Sequence, residues 1–204
     1  MVHVRVLPAS VKVLWDNSKN KSNEAAGDGI PRLIYVSREK SPTQHHHFKA
    51  GAMNVLTRVS GVVTNSPIML NVDCDMFANN PQVALHAMCL LLGFHDDVHS
   101  GFVQKIGYGV AGLQGIYYCG TGCFHRRKVM YGVPPDSATT SMKDSPSYNE
   151  LQNRFGRSSE LIESARSIIS GDMFKAPTVV VADLTSRVEA AKQVSACSYE
   201  TGTS

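Results

Sequence analysis

Hydrophobic residues recur at two different spacings in the first third of the chain, and the spacing separates strands from a helix. Residues 11–15 alternate in polarity, and residues 31–36 are rich in β-branched and aromatic side chains, as strands are. From residue 48 to residue 64 the apolar positions follow a helical period instead. The pattern therefore predicts two strands followed by one helix. The apolar positions of that helix are Met53, Leu56, Val59 and Val63.

The next block again alternates strand and helix. Residues 68–73 form a continuous apolar run that ends in an acid, which is typical of a strand buried on both faces of a parallel sheet. Pro81 suits the first turn of a helix over residues 81–93, and residues 100–104 predict another short strand. Strands that alternate with helices define an α/β domain. We expect residues 31–36, 68–73 and 100–104 to share one mostly parallel sheet with flanking helices and right-handed connections.

The C-terminal half has a different composition. Residues 105–122 are rich in glycine, which permits turns and close approach of the backbone to a ligand. The polar stretch 133–147 predicts a linker. Apolar positions between residues 151 and 169 predict one amphipathic helix, and those between 184 and 194 predict another. Within 1–204 we expect a core over residues 10–132, the linker over 133–147, and a helical segment over 148–204.

Charge and composition exclude several classes of protein. The 204 residues carry 20 basic and 17 acidic side chains, a balance too even for a nucleic-acid binder. The 43% of hydrophobic residues excludes general disorder. No apolar run reaches membrane-spanning length, and no secretory signal is visible. Five cysteines, an odd number, argue against a disulfide-stapled secreted scaffold and for reduced thiols on a cytosolic face.

Two acids one residue apart, Asp73 and Asp75, stand at the end of the apolar run. In an open α/β sheet, ligands bind outside the carboxyl ends of the strands. Two carboxylates there can hold a hard divalent cation, which in turn clamps a diphosphate. The alternative is a strand end with two solvated or capping acids.

Lys49 begins a run of small residues at the predicted start of the first helix. A helix N-terminus attracts anions, small residues let the backbone approach a ligand, and a lysine adds a point charge for phosphate. Together with Asp73 and Asp75, about one helix later, Lys49 indicates a nucleotide-diphosphate site. A lysine that is simply solvated is the alternative.

Three other groups of polar residues are candidates for a binding or metal site. Tyr117 and Tyr118 precede a Cys-Gly-Thr-Gly-Cys run; aromatic faces beside backbone amides suit sugar stacking, although a core strand and a tight turn explain the same pattern. The two cysteines of that run lack the second pair that a zinc site needs. Residues 45–47 are three histidines without a zinc-spaced cysteine or acid, so loop polarity or substrate contact is the better interpretation. Residues 95–99 predict a solvated turn.

Several of these segments resemble the plant cellulose synthase superfamily. The family's long block ending in its Asp-x-Asp motif is similar to YVSREKSPTQHHHFKAGAMNVLTRVSGVVTNSPIMLNVDCDMFANNP. Its acceptor-side block is similar to GLQGIYYCGTGCFHRRKVMYG, and the region leading toward its catalytic motif is similar to ELQNRFGRSSELIESA and SACSYETGTS. HHHFKAGAMN and LGFHDDVHSGFVQ are nearest to the cellulose-synthase-like H and B types. The similarity covers most of residues 10–204.

The resemblance implies a fold, an activity and partners. Family members are processive, inverting glycosyltransferases with a cytosolic catalytic domain of the GT-A type (glycosyltransferase family 2). They transfer glucose or a related sugar from a UDP-sugar donor to a β-glucan acceptor, of the cellulose, mixed-linkage or hemicellulose kind, in plant cell wall synthesis. They act at the cytosolic face of the Golgi or plasma membrane through transmembrane helices, with no nucleic-acid partner. The resemblance also allows a homo-oligomer of the full-length protein.

The resemblance also implies roles for individual residues. Lys49, Asp73 and Asp75 would contact UDP, and Asp73 and Asp75 would hold Mn²⁺ or Mg²⁺. The residues that would lie near the acceptor end of the glucan are Tyr118, Cys119, Gly120 and Thr121.

Some family features have no counterpart in this sequence. These are the first UDP-binding Asp motif, the Thr-Glu-Asp motif that carries the general base, the Gln-x-x-Arg-Trp motif, and the transmembrane helices; a stretch after Gln104 is also shortened. Neither Asp183 nor Glu200 is matched to the general base. We therefore expect a truncated or alternatively spliced piece of the catalytic domain. The alternative function is a non-catalytic nucleotide-sugar-binding or interaction fragment.

We expect the 204-residue chain alone to make no glycan polymer. Loss of general acid–base help typically costs roughly 10²–10⁴-fold in rate, and loss of acceptor orientation adds to that cost. The measurement is incubation with UDP-glucose, Mn²⁺ and a short β-glucan primer, which should give no labelled polymer above a boiled control. Primer extension that disappears in Asp75→Asn would contradict this expectation.

Overall fold

The computed structural model describes residues 6–16, 31–92, 100–104, 118–135, 146–171, 183–201 and 203. The chain divides into two compact units, of which the first comprises residues 1–65, 146–166 and 176–204 and the second residues 66–145 and 167–175. Strands and helices occur in both units, so the expected α/β composition is confirmed. The elements in chain order are β1 (Ser10–Trp15), β2 (Leu33–Ser37), α1 (Phe48–Val63), β3 (Ile68–Asn71), α2 (Val83–Leu92), β4 (Phe102–Gln104), β5 (Cys123–Arg126), α3 (Arg127–Met130), α4 (Tyr148–Phe155), α5 (Ser159–Ile169) and α6 (Leu184–Gln193).

The first unit joins a two-stranded antiparallel sheet to helices. β1 pairs with β2, with Ser10 opposite Ser37, and α6 packs against both α1 and β1. The predicted helix over residues 48–64 is confirmed, but its buried face differs over the first half. Leu56 is 47% exposed, and Val55 is buried in its place. The core residues of this unit are Val11, Val55, Val59, Val62, Val63, Leu161, Ala190, Ala191 and Val194.

The single amphipathic helix predicted between residues 151 and 169 is wrong, because the chain breaks there into α4 and α5. Gly156 adopts a φ of 82°, which ends α4, and a Cβ at this position would come within 2.8 Å of the Tyr199 ring. The Tyr199 hydroxyl donates to the Phe155 carbonyl at 2.9 Å and accepts from the Ser158 amide at 3.0 Å. A side chain from far along the sequence thus satisfies the backbone groups that the break exposes, which local periodicity does not reveal.

The second unit contains a three-stranded sheet in the order β3-β5-β4. β5 lies in the centre and is antiparallel to both neighbours, with Phe124 opposite Leu70 on one side and Val103 on the other. Helix α2 packs on this sheet through Ala87 and Leu91. None of the described helices is long and apolar enough to cross a membrane.

The expected mostly parallel sheet is wrong for the described strands, because every described pair is antiparallel and residues 33–37 belong to a different sheet from β3 and β4. The apolar run of β3 suggested burial on both faces, yet even one face is only partly covered: Ile68 is buried, whereas Leu70, two residues further along the same face, is 47% exposed. The apolar composition of β3 alone does not reveal which strand pairs with it. β3 and β4 do run in the same direction, since both are antiparallel to β5, but they are not neighbours.

Two adjacent leucines of α2 should respond very differently to truncation. Leu91 is 1% exposed and Leu90 is 47% exposed. We expect Leu91→Ala to cost the second unit about 2–5 kcal/mol, because it leaves a cavity against the sheet, and Leu90→Ala to cost less than about 0.5 kcal/mol.

The measurement for this pair is native-state hydrogen exchange at the Phe124 amide in β5. Fluorescence of the single tryptophan, Trp15 in β1, monitors the first unit as a control. Equal effects of the two substitutions on exchange would contradict the packing of α2 described above.

Candidate functional site

The Asp-x-Asp segment forms a turn just beyond the end of β3. The Met76 amide donates to the Asp73 carbonyl at 3.1 Å and closes that turn. Asp73 is half-buried, whereas Cys74 and Asp75 are exposed. The strand predicted over residues 68–73 ends at Asn71, so the two acids follow a strand end as predicted, and neither lies within a helix. Both acids therefore stand at an accessible edge of the sheet.

The turn that precedes β5 depends on two glycines. Gly120 and Gly122 have φ values of 86° and 66°, which other residues adopt at a cost. A Cβ on Gly122 would approach the Met76 methyl group at 3.0 Å. Glycine here therefore allows the turn to approach the Asp-x-Asp segment closely.

Direct hydrogen bonds join these two segments, which the sequence separates by more than forty residues. The Asp73 amide donates to the Thr121 hydroxyl oxygen at 2.9 Å, and the Gly122 amide donates to the Asn71 carbonyl at 2.8 Å. The Thr121 hydroxyl in turn lies 2.8 Å from the Met76 sulfur. The residues expected to bind a diphosphate and those expected to meet an acceptor are thus neighbours.

Two amide side chains hold the turn from the strands on either side of β5. Gln104 donates to the Thr121 carbonyl at 2.7 Å and accepts from the Cys119 amide at 3.2 Å. Asn71 donates to the Gly120 carbonyl at 3.1 Å. Sequence reasoning missed both residues. The available signal was that each is the polar residue that follows a short apolar run.

His125 is a further residue that the sequence did not single out. It is half-buried on β5, and its ring packs edge-on against Tyr118 with centroids 5.3 Å apart. Its Nε2 lies 3.0 Å from Oδ1 of Asn71. Burial lowers the pKa of His125 below its usual value, which favours the neutral ring. Tyr118, predicted to lie on the acceptor side, remains 46% exposed.

The two cysteines of the turn have different environments. Cys123 is fully buried and Cys119 is exposed. Burial, with a smaller contribution from Cys119, raises the pKa of the Cys123 thiol to about 11. Among the residues that the structure describes, no three His, Cys, Asp or Glu side chains come together in a way that could hold a metal ion.

Lys49 belongs to the first unit, where it is exposed at the start of α1. The chain enters this helix through His47 and Phe48, with φ values of 51° and 45°. Arg38 donates to the His46 carbonyl at 2.6 Å and to the Phe48 carbonyl at 3.1 Å, which holds this unusual backbone. A Cβ on Gly51 would collide with the His46 carbonyl oxygen. The small residues after Lys49 thus allow a close backbone approach, as predicted, but to the chain itself.

The histidine run contributes mainly to this loop. Nε2 of His46 lies 3.1 Å from the Ser41 amide and 2.9 Å from the Ser41 carbonyl. His45 and His47 are exposed, with their ring centroids 6.2 Å apart. Other predictions lie outside the described residues: Tyr117, the cluster at 95–99, the glycine-rich residues 105–117 and linker residues 136–145.

Known proteins are similar to this chain over most of its length. Residues 4–108 match the cellulose synthase family. The chain is 58% identical to putative cellulose synthase-like protein H3 and 52% identical to cellulose synthase-like protein H1, both from Oryza sativa subsp. japonica, over 96% of its length in each case. It is 39% identical over 95% of its length to cellulose synthase-like protein B5 of Arabidopsis thaliana.

The chain belongs to the cellulose synthase family, and the predicted resemblance to its H and B types is confirmed. It spans 26% of the length of the H3 relative and 28% of the H1 and B5 relatives. The similarity therefore concerns about a quarter of each of those proteins.

We expect Cys119 and Cys123 to differ strongly in their reaction with a thiol reagent at pH 8. Only about one Cys123 thiol in a thousand is ionised there, because its pKa is about 11, and burial also blocks access. Cys119 should be labelled by iodoacetamide within minutes, together with the exposed Cys74 and Cys89, and Cys123 only after unfolding. Peptide mass spectrometry measures the labelling. Equal native labelling of both cysteines, or a Cys119–Cys123 disulfide, would contradict the geometry.

Proposed function

We propose that this chain supplies the UDP-sugar and metal part of a glycosyltransferase site that transfers glucose from UDP-glucose to a β-glucan. The observation that carries the proposal is the hydrogen bond of 2.9 Å between the Asp73 amide and the Thr121 hydroxyl. It joins the acids suited to a metal-bound diphosphate to the turn suited to an acceptor. Membership of the cellulose synthase family supports the same reaction class.

The two acids fit a divalent cation that arrives with its nucleotide. Mg²⁺ is usually bound by one or two carboxylates together with substrate phosphates, and Asp73 and Asp75 offer two carboxylates on one exposed turn. Mn²⁺ or Mg²⁺ bound there would stabilise the negative charge of the departing UDP. The family resemblance also assigns Lys49 to UDP, for which a lysine supplies a point charge. This donor set consists of oxygen atoms, which such hard cations prefer.

On the acceptor side the proposal assigns binding to Tyr118, Cys119, Gly120 and Thr121. The exposed ring of Tyr118 can stack against a sugar, and the turn is held rigidly by Asn71 and Gln104. A rigid turn beside the acids would orient an acceptor hydroxyl toward the donor sugar, and orientation of this kind contributes strongly to catalysis.

The wider setting of the proposal follows from the family. We propose synthesis of a plant cell wall β-glucan at the cytosolic face of the Golgi or plasma membrane, with a GT-A-like arrangement of the whole catalytic domain. A UDP-sugar donor and a β-glucan acceptor are the partners. A homo-oligomer of the full-length protein is part of the same proposal.

We expect UDP to bind this chain about tenfold or more tightly with Mn²⁺ or Mg²⁺ than with a chelator, because a cation held by Asp73 and Asp75 would offset the negative charge of the diphosphate. Asp75→Asn should remove this metal dependence, since it removes one of two charged ligands. Isothermal titration calorimetry measures both affinities.

The matched control is Glu163→Gln, which removes an exposed carboxylate from α5 in the other unit and should change neither affinity. Equal UDP affinity of the unaltered chain with metal and with chelator would refute the metal site. Loss of metal dependence in Glu163→Gln as well would show that overall charge, and not Asp75, is responsible.

A further inference from the structure

The hydrogen bonds around Asn71 determine which way its amide faces. The carbonyl of Gly120 can only accept, so the Asn71 NH₂ group must point toward it, at 3.1 Å. The second N–H of that group reaches the Tyr118 hydroxyl at 3.0 Å. Both amide hydrogens are thereby used, and Oδ1 is left to face His125.

The same matching of hydrogen-bond donors to acceptors determines the tautomer of His125. Oδ1 of Asn71 can only accept, so the ring atom 3.0 Å from it, Nε2, must carry the hydrogen. In the neutral ring, Nδ1 then has a lone pair. The Cys123 sulfur lies 4.0 Å from Nδ1 and 3.9 Å from the Phe124 carbonyl oxygen, so Nδ1 is one of two acceptors near this buried thiol. A single direction of donation therefore runs from His125 through Asn71 to the Gly120 carbonyl.

We propose that His125 and Asn71 are positioning residues that keep the acceptor-side turn in contact with Asp73. His125 sets the orientation of the Asn71 amide, and Asn71 holds Gly120, next to the threonine that accepts from Asp73. The positioning role rests on the proposed function, because it matters to catalysis only if the Asp-x-Asp segment binds a metal and UDP.

The competing explanation is that His125 acts only as a packed ring. It contacts Tyr118 edge-on and lies 6.1 Å from the Phe102 ring across the strand pair. Substitutions of His125 can separate the packing of its ring from the hydrogen bond that its Nε2–H donates. His125→Phe keeps an aromatic ring but removes the N–H, whereas His125→Gln removes the ring but places an amide N–H near the position of Nε2.

The experiment uses the full 204-residue chain and hydrogen exchange at the Asp73 and Gly122 amides, which form the two bonds between the turn and the Asp-x-Asp segment. We expect His125→Phe to speed exchange at both amides by about tenfold, which is the scale of one lost hydrogen bond. His125→Gln should stay within about threefold of the unaltered chain. His86→Phe, at an exposed histidine of α2, is the matched control and should have no effect.

Two further readouts separate positioning from general loosening. The ring ¹⁵N chemical shifts of His125 should report the Nε2–H tautomer, and the Leu91 amide in α2 should exchange at the same rate in all variants. An Nδ1–H tautomer, unchanged exchange in His125→Phe, or no recovery in His125→Gln would each overturn the proposal.

Calorimetry with Mg²⁺ and UDP links the pair to function. We expect His125→Phe to weaken metal-dependent UDP binding about fivefold and His125→Gln to restore it. Unchanged affinity in a His125→Phe chain with faster exchange would limit the pair to a structural role and overturn the proposal. Absence of UDP binding by the unaltered chain would instead refute the proposed function, and hydrogen exchange would still decide whether the pair holds the turn.

Discussion

The placement of β5 between β3 and β4 is the constraint on which the candidate site depends. β5 pairs with both neighbours, with Cys123 opposite Asn71 on one side and Gln104 on the other. The residues just before β5 must therefore pass the end of β3, where the Asp-x-Asp segment leaves the sheet. Antiparallel pairing on both sides brings the turn and the acids to the same edge, although the sequence separates them widely.

The polar groups at that edge satisfy one another. A turn with two glycines in the left-handed region exposes carbonyls and amides that need partners. Asn71 and Gln104, at the ends of the flanking strands, supply them, and each such bond contributes about 0.5–1.5 kcal/mol net. The energy is modest, but the geometric restriction is strong because the turn is held from both sides. Rigid support of this kind is what a binding turn requires.

The first unit uses the same principle at two backbone irregularities. Arg38 holds the carbonyls around the left-handed entry to α1, and Tyr199 bridges the break between α4 and α5. Tyr199 is itself held by the guanidinium of Arg58, whose carbon lies 5.4 Å from the ring centroid, and Arg58 also pairs with Glu200 and donates to the Val194 carbonyl at 3.0 Å. Long polar side chains thus compensate for backbone that regular helices leave unsatisfied.

Sequence periodicity was sufficient for most of the elements and for the chemistry at the strand end. β1, β2, α1, β3, α2, β4 and α6 follow from local spacing, because burial of one face leaves a repeat that is visible along the chain. Asp73 and Asp75 were recognised because two acids after an apolar run are chemically distinctive, and the family followed from the long matching segments. Strand β5 was missed, because four residues reading Cys-Phe-His-Arg contain too little alternation to mark a strand.

With β5 missed, the direction of the sheet and the partners of the turn could not be predicted. Strand pairing depends on contacts between residues distant in sequence, and these leave no local pattern. The same reason applies to Asn71, Gln104 and His125, whose side chains look ordinary until the strands align them. It applies equally to Tyr199, whose hydroxyl bonds backbone groups at a helix break more than forty residues before it. The amino-acid sequence by itself determined most of the elements, the acids and the family. Only the tertiary structure decided where β5 lies and which polar groups meet, because strand pairs and these hydrogen bonds join residues that are distant in sequence.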